Sequence, residues 1–135
     1  MIKVYVKKQT NYPVRASIIK EKLTEFLKKK GIVSDSVVSV VLIGKKKMTN
    51  ISKKYLGKEE SHNVLSFTES ETNILSKKKH TDFVYPPDEM LNLGEILICY
   101  PEVFEEAKKE GKLIEDKVYE LVEHGARHLL GEHHE

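Results

Sequence analysis

The run Val37-Val38-Ser39-Val40-Val41-Leu42-Ile43 limits what this chain can fold into more than any other segment. Six of its seven residues are apolar and five are β-branched. Branching at Cβ is restricted in a helix but packs well on a pleated surface. The apolar residues do not alternate with polar ones, so neither face of this strand can meet water. A continuous apolar strand of this kind belongs at the centre of a sheet covered on both sides, the situation of parallel strands in α/β proteins.

The flanking segments supply the cover. Residues 2–7 alternate Ile2, Val4 and Val6 with Lys3, Tyr5 and Lys7, as a half-buried strand does. Pro13 opens a helix to about Lys30, with Ile18, Ile19, Leu23, Phe26 and Leu27 on one face and Gly31 at its end. Gly44 breaks the central strand. Residues 47–55 then carry Met48, Ile51 and Tyr55 at helical spacing, and Gly57 stops that helix. A short strand spans 63–67. Residues 68–91 are polar, contain Pro86-Pro87 and lack periodicity, which predicts a long loop with room for a short added strand. Residues 93–99 form a strand, Pro101 starts a helix to about Glu110, Gly111 breaks it, and 113–130 form the last helix. The order β-α-β-α-β-β-α-α predicts one α/β (α+β) domain over residues 1–135. Its core is a single mixed, mostly parallel four-stranded sheet packed with about four helices.

No stretch approaches the roughly 20 apolar residues needed to span a bilayer, and Met1-Ile2-Lys3-Val4 reads as a strand rather than a signal peptide. Cys99 is the single cysteine, so no internal disulfide forms and a reduced, cytoplasmic setting is the simplest expectation. Net charge is only +2, but lysines cluster at 28–30, 45–47, 53–54 with Lys58, and 77–79. Such runs are solvated faces or line a phosphate path, so composition allows an RNA partner without requiring one.

The most specific chemical signal closes the chain: His124-Gly125-Ala126-Arg127-His128-Leu129-Leu130-Gly131-Glu132-His133-His134. His124 and His128 are four apart in a helical stretch, so both imidazoles share one face and can close on one ion. Gly131 stands where the helix would end in a left-handed conformation, which can return His134 towards the same ion. His133 is a rival third ligand. Three neutral nitrogen donors leave a fourth tetrahedral position for water, the pattern of a catalytic metal site. Histidines at a helix C-terminus also interact with its dipole, and terminal histidines can be remnants of a tag. Neither explains histidines placed inside an apolar-periodic helix with a glycine at its end. The spacing His-x3-His-x2-Gly-x2-His is shared with metzincin proteases, which need a Glu directly after the first histidine. Here that position is Gly125, so the base for peptide hydrolysis is missing.

The tail resembles more closely the signature of the YbeY family, bacterial zinc-dependent endoribonucleases linked to ribosomal RNA maturation. Two further blocks carry the likeness. Tyr55-Leu56-Gly57-Lys58-Glu59-Glu60-Ser61-His62-Asn63-Val64-Leu65-Ser66-Phe67 is similar to the family's Tyr-Arg-Gly-Lys-Asp segment running into Asn/Asp-Val-Leu-Ser-Phe. Leu93-Gly94-Glu95-Ile96 is similar to its Leu-Gly-Asp-Ile strand. The resemblance implies one zinc ion per chain held by His124, His128 and His134, with a zinc-bound water of lowered pKa acting at a phosphodiester. It also implies RNA as partner, ribosomal RNA precursors first, together with the ribosome or its small-subunit proteins. Lys53, Lys54 and Lys58 are the expected phosphate-binding residues, and Lys58, Glu95 and Arg127 are candidates for assisting catalysis.

The chain departs from the family pattern at three places. Leu56 stands where the family has an arginine, whose planar fork grips phosphate in a way leucine cannot. Arg127 replaces a usual leucine and His133 a usual aspartate. Ser66 lacks a histidine–carboxylate set and reads as a packing residue, and Cys99 as a small core residue. Glu95, inside an apolar strand, is expected either to orient a histidine or to lie at the sheet edge. Two other functions remain open: a non-catalytic metal-binding protein associated with RNA or the ribosome, and a metallohydrolase of another substrate.

Overall fold

The central apolar run forms β2 (Ser36–Ile43), and all eight of its residues are buried. The computed structural model describes residues 1–71 and 90–131. The other strands are β1 (Ile2–Lys8), β3 (Val64–Phe67) and β4 (Leu91–Cys99). The helices are α1 (Ala16–Lys29), α2 (Lys45–Leu56), α3 (Tyr100–Glu110) and α4 (Ile114–Leu129). The strands lie in the order β1-β2-β4-β3. β1 and β4 pair with β2 in parallel, and β3 adds antiparallel to β4. The expected mixed, mostly parallel sheet is therefore present.

Each face of the sheet carries its own core. On one, Val4, Val38, Val40, Leu42, Leu93, Ile96 and Ile98 pack against Ile19, Leu23 and Leu27 of α1 and Val118, Leu121, Val122 and Ala126 of α4. On the other, Val41, Ile43, Phe67, Leu97 and Cys99 pack against Met48 and Ile51 of α2. Each large side chain buried in this way contributes about 1.5–3 kcal/mol by leaving water. The period-two alternation of the strands thus sends α1 and α4 to one side and α2 to the other.

A bulge in β4 changes this alternation. Val37 pairs with Asn92 but Val38 pairs with Gly94, so β4 holds one extra residue there. Leu93 and Ile96, three apart, consequently share a face. Gly94 makes the bulge possible: its φ is +131°, and a Cβ there would overlap the Phe67 carbonyl oxygen on β3.

Several boundaries move from their expected places. α1 begins at Ala16 rather than at Pro13, because Pro13 sits in a pair of tight turns in which Tyr12 and Val14 donate to Thr10 and Tyr12 carbonyls. The helix entry is then held from a distance, since the Arg15 backbone N–H donates to Glu115 Oε2 of α4 at 3.0 Å. Of the expected loop over 68–91, residues 69–71 are helical, Leu91 belongs to β4, and 72–89 lie outside the described residues. Glu71 accepts from the Thr68 backbone N–H at 2.9 Å and from its hydroxyl at 3.0 Å. Thr-x-x-Glu is a capping-box pattern that starts helices, and it was readable at Thr68 and Glu71.

Candidate metal centre

α4 is amphipathic, with Val118, Leu121, Val122, Gly125 and Ala126 buried against the sheet. His124 and His128 stand on its exposed side, one turn apart. Four residues correspond to about 6 Å along the axis, so the two side chains leave the same face of the helix. The helix ends as expected: Leu130 N–H donates to Ala126 and Arg127 carbonyls, Gly131 N–H donates to His128 at 3.0 Å, and Gly131 adopts φ +79°. His133 and His134 lie outside the described residues. Among the described residues no group of three or more metal-binding side chains is assembled. The two imidazoles present a donor chemistry that suits a borderline-soft ion such as zinc.

Gly125 has a structural reason to be glycine. It faces β4 at the closest approach of helix and sheet, where a Cβ would stand 2.8 Å from Ile96 Cγ2. Leu129 similarly lies over Gly94, its Cδ2 2.9 Å from where a Cβ would be. A larger residue after His124 would therefore point into the sheet, away from the histidines. Peptide hydrolysis through a glutamate at that position has no room in this packing.

Around the pair, charged side chains lock α4 in place. Lys117 is buried on the same helix, and its Nζ donates to Glu120 at 2.6 Å and Glu110 at 3.0 Å, with Glu106 at 3.7 Å. Hydrogen bonding to Glu120, against an opposing desolvation effect, holds the lysine pKa above its ordinary value. The same cluster keeps the Glu110 and Glu120 carboxyls below theirs, through Lys117 and Lys112 respectively. Asn63, just before β3, donates to both Glu106 oxygens at 2.9 and 3.1 Å. The entry to β3, α3 and the histidine helix are thereby tied together. At the other end Arg15 grips Glu115 through Nε and Nη2, and these hydrogen bonds hold the carboxyl pKa down to about 2.

The other sequence-derived candidates are dispersed. Arg127 lies on the histidine helix itself, one residue before His128, but its guanidinium is bound to Glu123 at 2.8 Å and lies over the Phe26 ring of α1 at 5.2 Å. Glu95 is buried in the interior strand β4, so it is not at the sheet edge. Beyond the Gly94 bulge it pairs with Ser39 and Phe67, in step with Leu97 and Cys99, and so faces α2 rather than the histidine helix. The sheet-edge expectation for Glu95 is thereby corrected. Lys53, Lys54 and Lys58 are exposed at the end of α2, also across the sheet from α4. Ser66 is half-buried and pairs with Ile96, on the α4 side. Cys99 is a core residue, its thiol pushed up by burial.

One constellation escaped the sequence reading. Ser52 Oγ meets His62 Nε2 at 3.2 Å, and Glu60 approaches the same nitrogen at 3.4 Å. A nucleophilic relay needs the carboxylate on the other ring nitrogen and an accessible hydroxyl. Ser52 is fully buried, so this set fastens the segment after α2 instead.

The fold and the helix-borne histidine pair define a class: α/β domains whose last described helix carries two exposed histidines one turn apart. Comparison with known proteins narrows it. The family described as Endoribonuclease YbeY matches residues 4–135. Two relatives named Endoribonuclease YbeY, from strains of Dehalococcoides mccartyi, are 33% and 34% identical over 99% of this chain, covering 78% and 84% of their own lengths. The solution structure of TM1509 from Thermotoga maritima superposes with a TM-score of 0.61 at 25% identity, covering 98% of this chain and 75% of that one. The chain belongs to the YbeY family.

Proposed function

We propose that this protein is a metal-dependent endoribonuclease that cuts single-stranded RNA during ribosomal RNA maturation, and that it works in the cytoplasm. The observation that carries this reading is the pair His124 and His128 on successive turns of α4, in a chain whose relatives are named endoribonucleases. His124, His128 and His134 would hold one zinc ion. When bound, that ion supplies a Lewis acid for a phosphoryl oxygen and an acidified water. The protein's own part is to present two imidazoles from a helix pinned at Gly125, and to hold phosphates further along the strand with Lys53, Lys54 and Lys58. With Gly125 after the first histidine, the helix offers no carboxylate base there. RNA precursors of the ribosome are the proposed substrate, and the ribosome itself a proposed partner.

Leu56 supports a second reading, a metal-binding protein that binds RNA without cutting it. It is 45% exposed at the end of α2, where the family's arginine would sit. The test is metal content together with cleavage of a single-stranded RNA by wild type and His128→Ala. About one zinc per chain, with cleavage that His128→Ala abolishes, is the expected result. Intact RNA after incubation with pure, metal-loaded wild type would overturn the nuclease reading and leave the second.

A further inference from the structure

Charge along this chain is nearly balanced, with 23 basic and 21 acidic residues, yet one helix is not. α1, α3 and α4 each mix lysine or arginine with glutamate or aspartate along their length. α2 has the sequence KKKMTNISKKYL, five lysines and no acid. Met48, Ile51 and Ser52 face the core, which leaves Lys45, Lys46, Asn50, Lys53 and Lys54 exposed along the outer side. Lys46 and Lys54 are eight residues apart, about 12 Å along the axis. Lys58 extends the same charge beyond Gly57.

Little in the fold neutralises this face. Lys45 approaches a half-buried Glu102 at 3.3 Å, and Lys53 approaches Glu59 at 3.8 Å between two exposed side chains. Lys46 makes no ion pair among the described residues. Three lysines in the first turn also work against the helix dipole, which favours anions there. Stability of the helix therefore does not account for the sequence.

We infer that the outer face of α2 is an RNA-anchoring surface that grips phosphates away from the cut. This rests on the endoribonuclease reading and extends it, because α2 and the histidine pair occupy opposite faces of the sheet. A substrate engaging both must be long enough to pass around the domain, so binding and cleavage are carried by separate surfaces. The extended charge and the absence of any acid within α2 itself match a phosphate backbone rather than a particular base.

The test measures affinity for a fluorescent single-stranded RNA of about 16 nucleotides. A His128→Ala background keeps the probe intact, and salt is varied between about 50 and 200 mM. Each phosphate contact on a single strand contributes about 0.7 to the slope of log K against log salt, or about five-fold in affinity near 0.1 M. Lys46→Gln with Lys54→Gln should weaken binding about 25-fold and reduce the slope by about 1.4. Lys108→Gln with Lys109→Gln on α3, the same change in net charge, should do far less. Equal losses in the two double variants overturn the proposal, as does unchanged RNA affinity. So does a loss seen only for poly-L-glutamate, which would mark an acidic protein as partner. If the wild type leaves RNA intact while the α2 variant still loses affinity, the nuclease reading falls and this surface stands. If the wild type cuts RNA and the α2 variant binds normally, the reverse holds.

Discussion

Gly94→Ala tests the bulge that sets the geometry of β4. Its φ of +131° is a conformation that residues with a Cβ avoid, a strain of about 1–3 kcal/mol. The new Cβ would overlap the Phe67 carbonyl oxygen and stand 2.9 Å from Leu129 Cδ2. One obstacle is backbone and the other belongs to the histidine helix, so relief requires β3 to move away from β4. That movement weakens the ladder at Ser66–Ile96 and Phe67–Glu95. Overpacking and one or two weakened hydrogen bonds add about 2–3 kcal/mol. The total, about 3–6 kcal/mol, is a large part of the 5–15 kcal/mol by which domains are ordinarily stable. In urea, followed by far-ultraviolet circular dichroism, a slope of about 2 kcal/mol/M puts the midpoint roughly 1.5–3 M below wild type. Gly57→Ala is the control. Its φ is +73° with nothing within 4 Å of the added Cβ, so only the strain of about 1–2 kcal/mol applies. Loss of less than about 1 kcal/mol in Gly94→Ala, or equal losses in the two variants, would refute the close-approach argument.

Three further outcomes are expected. Gly125→Ala gains about 1 kcal/mol of helix propensity but meets Ile96 Cγ2 at 2.8 Å, and overpacking should leave it about 0.5–2 kcal/mol less stable in the same urea experiment. Arg15→Ala should destabilise the protein at pH 6. Because Arg15 lowers the Glu115 pKa from its ordinary 4.5 to about 2, that difference should shrink as pH falls through this window and lose its charge-dependent part below it, as read from urea midpoints at successive pH values. Leu56→Arg should strengthen RNA binding and raise cleavage several-fold by restoring a bidentate phosphate contact, and an unchanged rate would show that the lysines already supply it.

What could be read in advance was local. The β2 run, the helical phase of His124 and His128, and the left-handed stop at Gly131 each depend on neighbours within a few residues. The face on which Glu95 lies depends on one extra residue at the Gly94 bulge, which its sequence neighbours do not reveal. A regular strand would have kept Glu95 in phase with Leu93 and aimed it at α4. Lys117 gave no sign of burial, since the carboxylates that permit it come partly from α3. The start of α1 at Ala16 rests on tight turns around Pro13 and on Glu115 from α4, whereas the Thr68–Glu71 cap follows a local pattern. At the site, the histidine pair was legible, but the partition of histidines and lysines between two faces emerges only once the sheet is built.

The hydrogen bond from the Arg15 backbone to Glu115 spans 100 residues of a 135-residue chain. Closing a loop of that length costs entropy that is offset only when α1 and α4 pack together. During synthesis the N-terminal strand and α1 emerge long before their clamp exists, and α1 can fray at its first turn until α4 docks. Contacts so distant in sequence slow folding. The helix that carries the histidines is thus also the one whose arrival completes the opening segment of the chain.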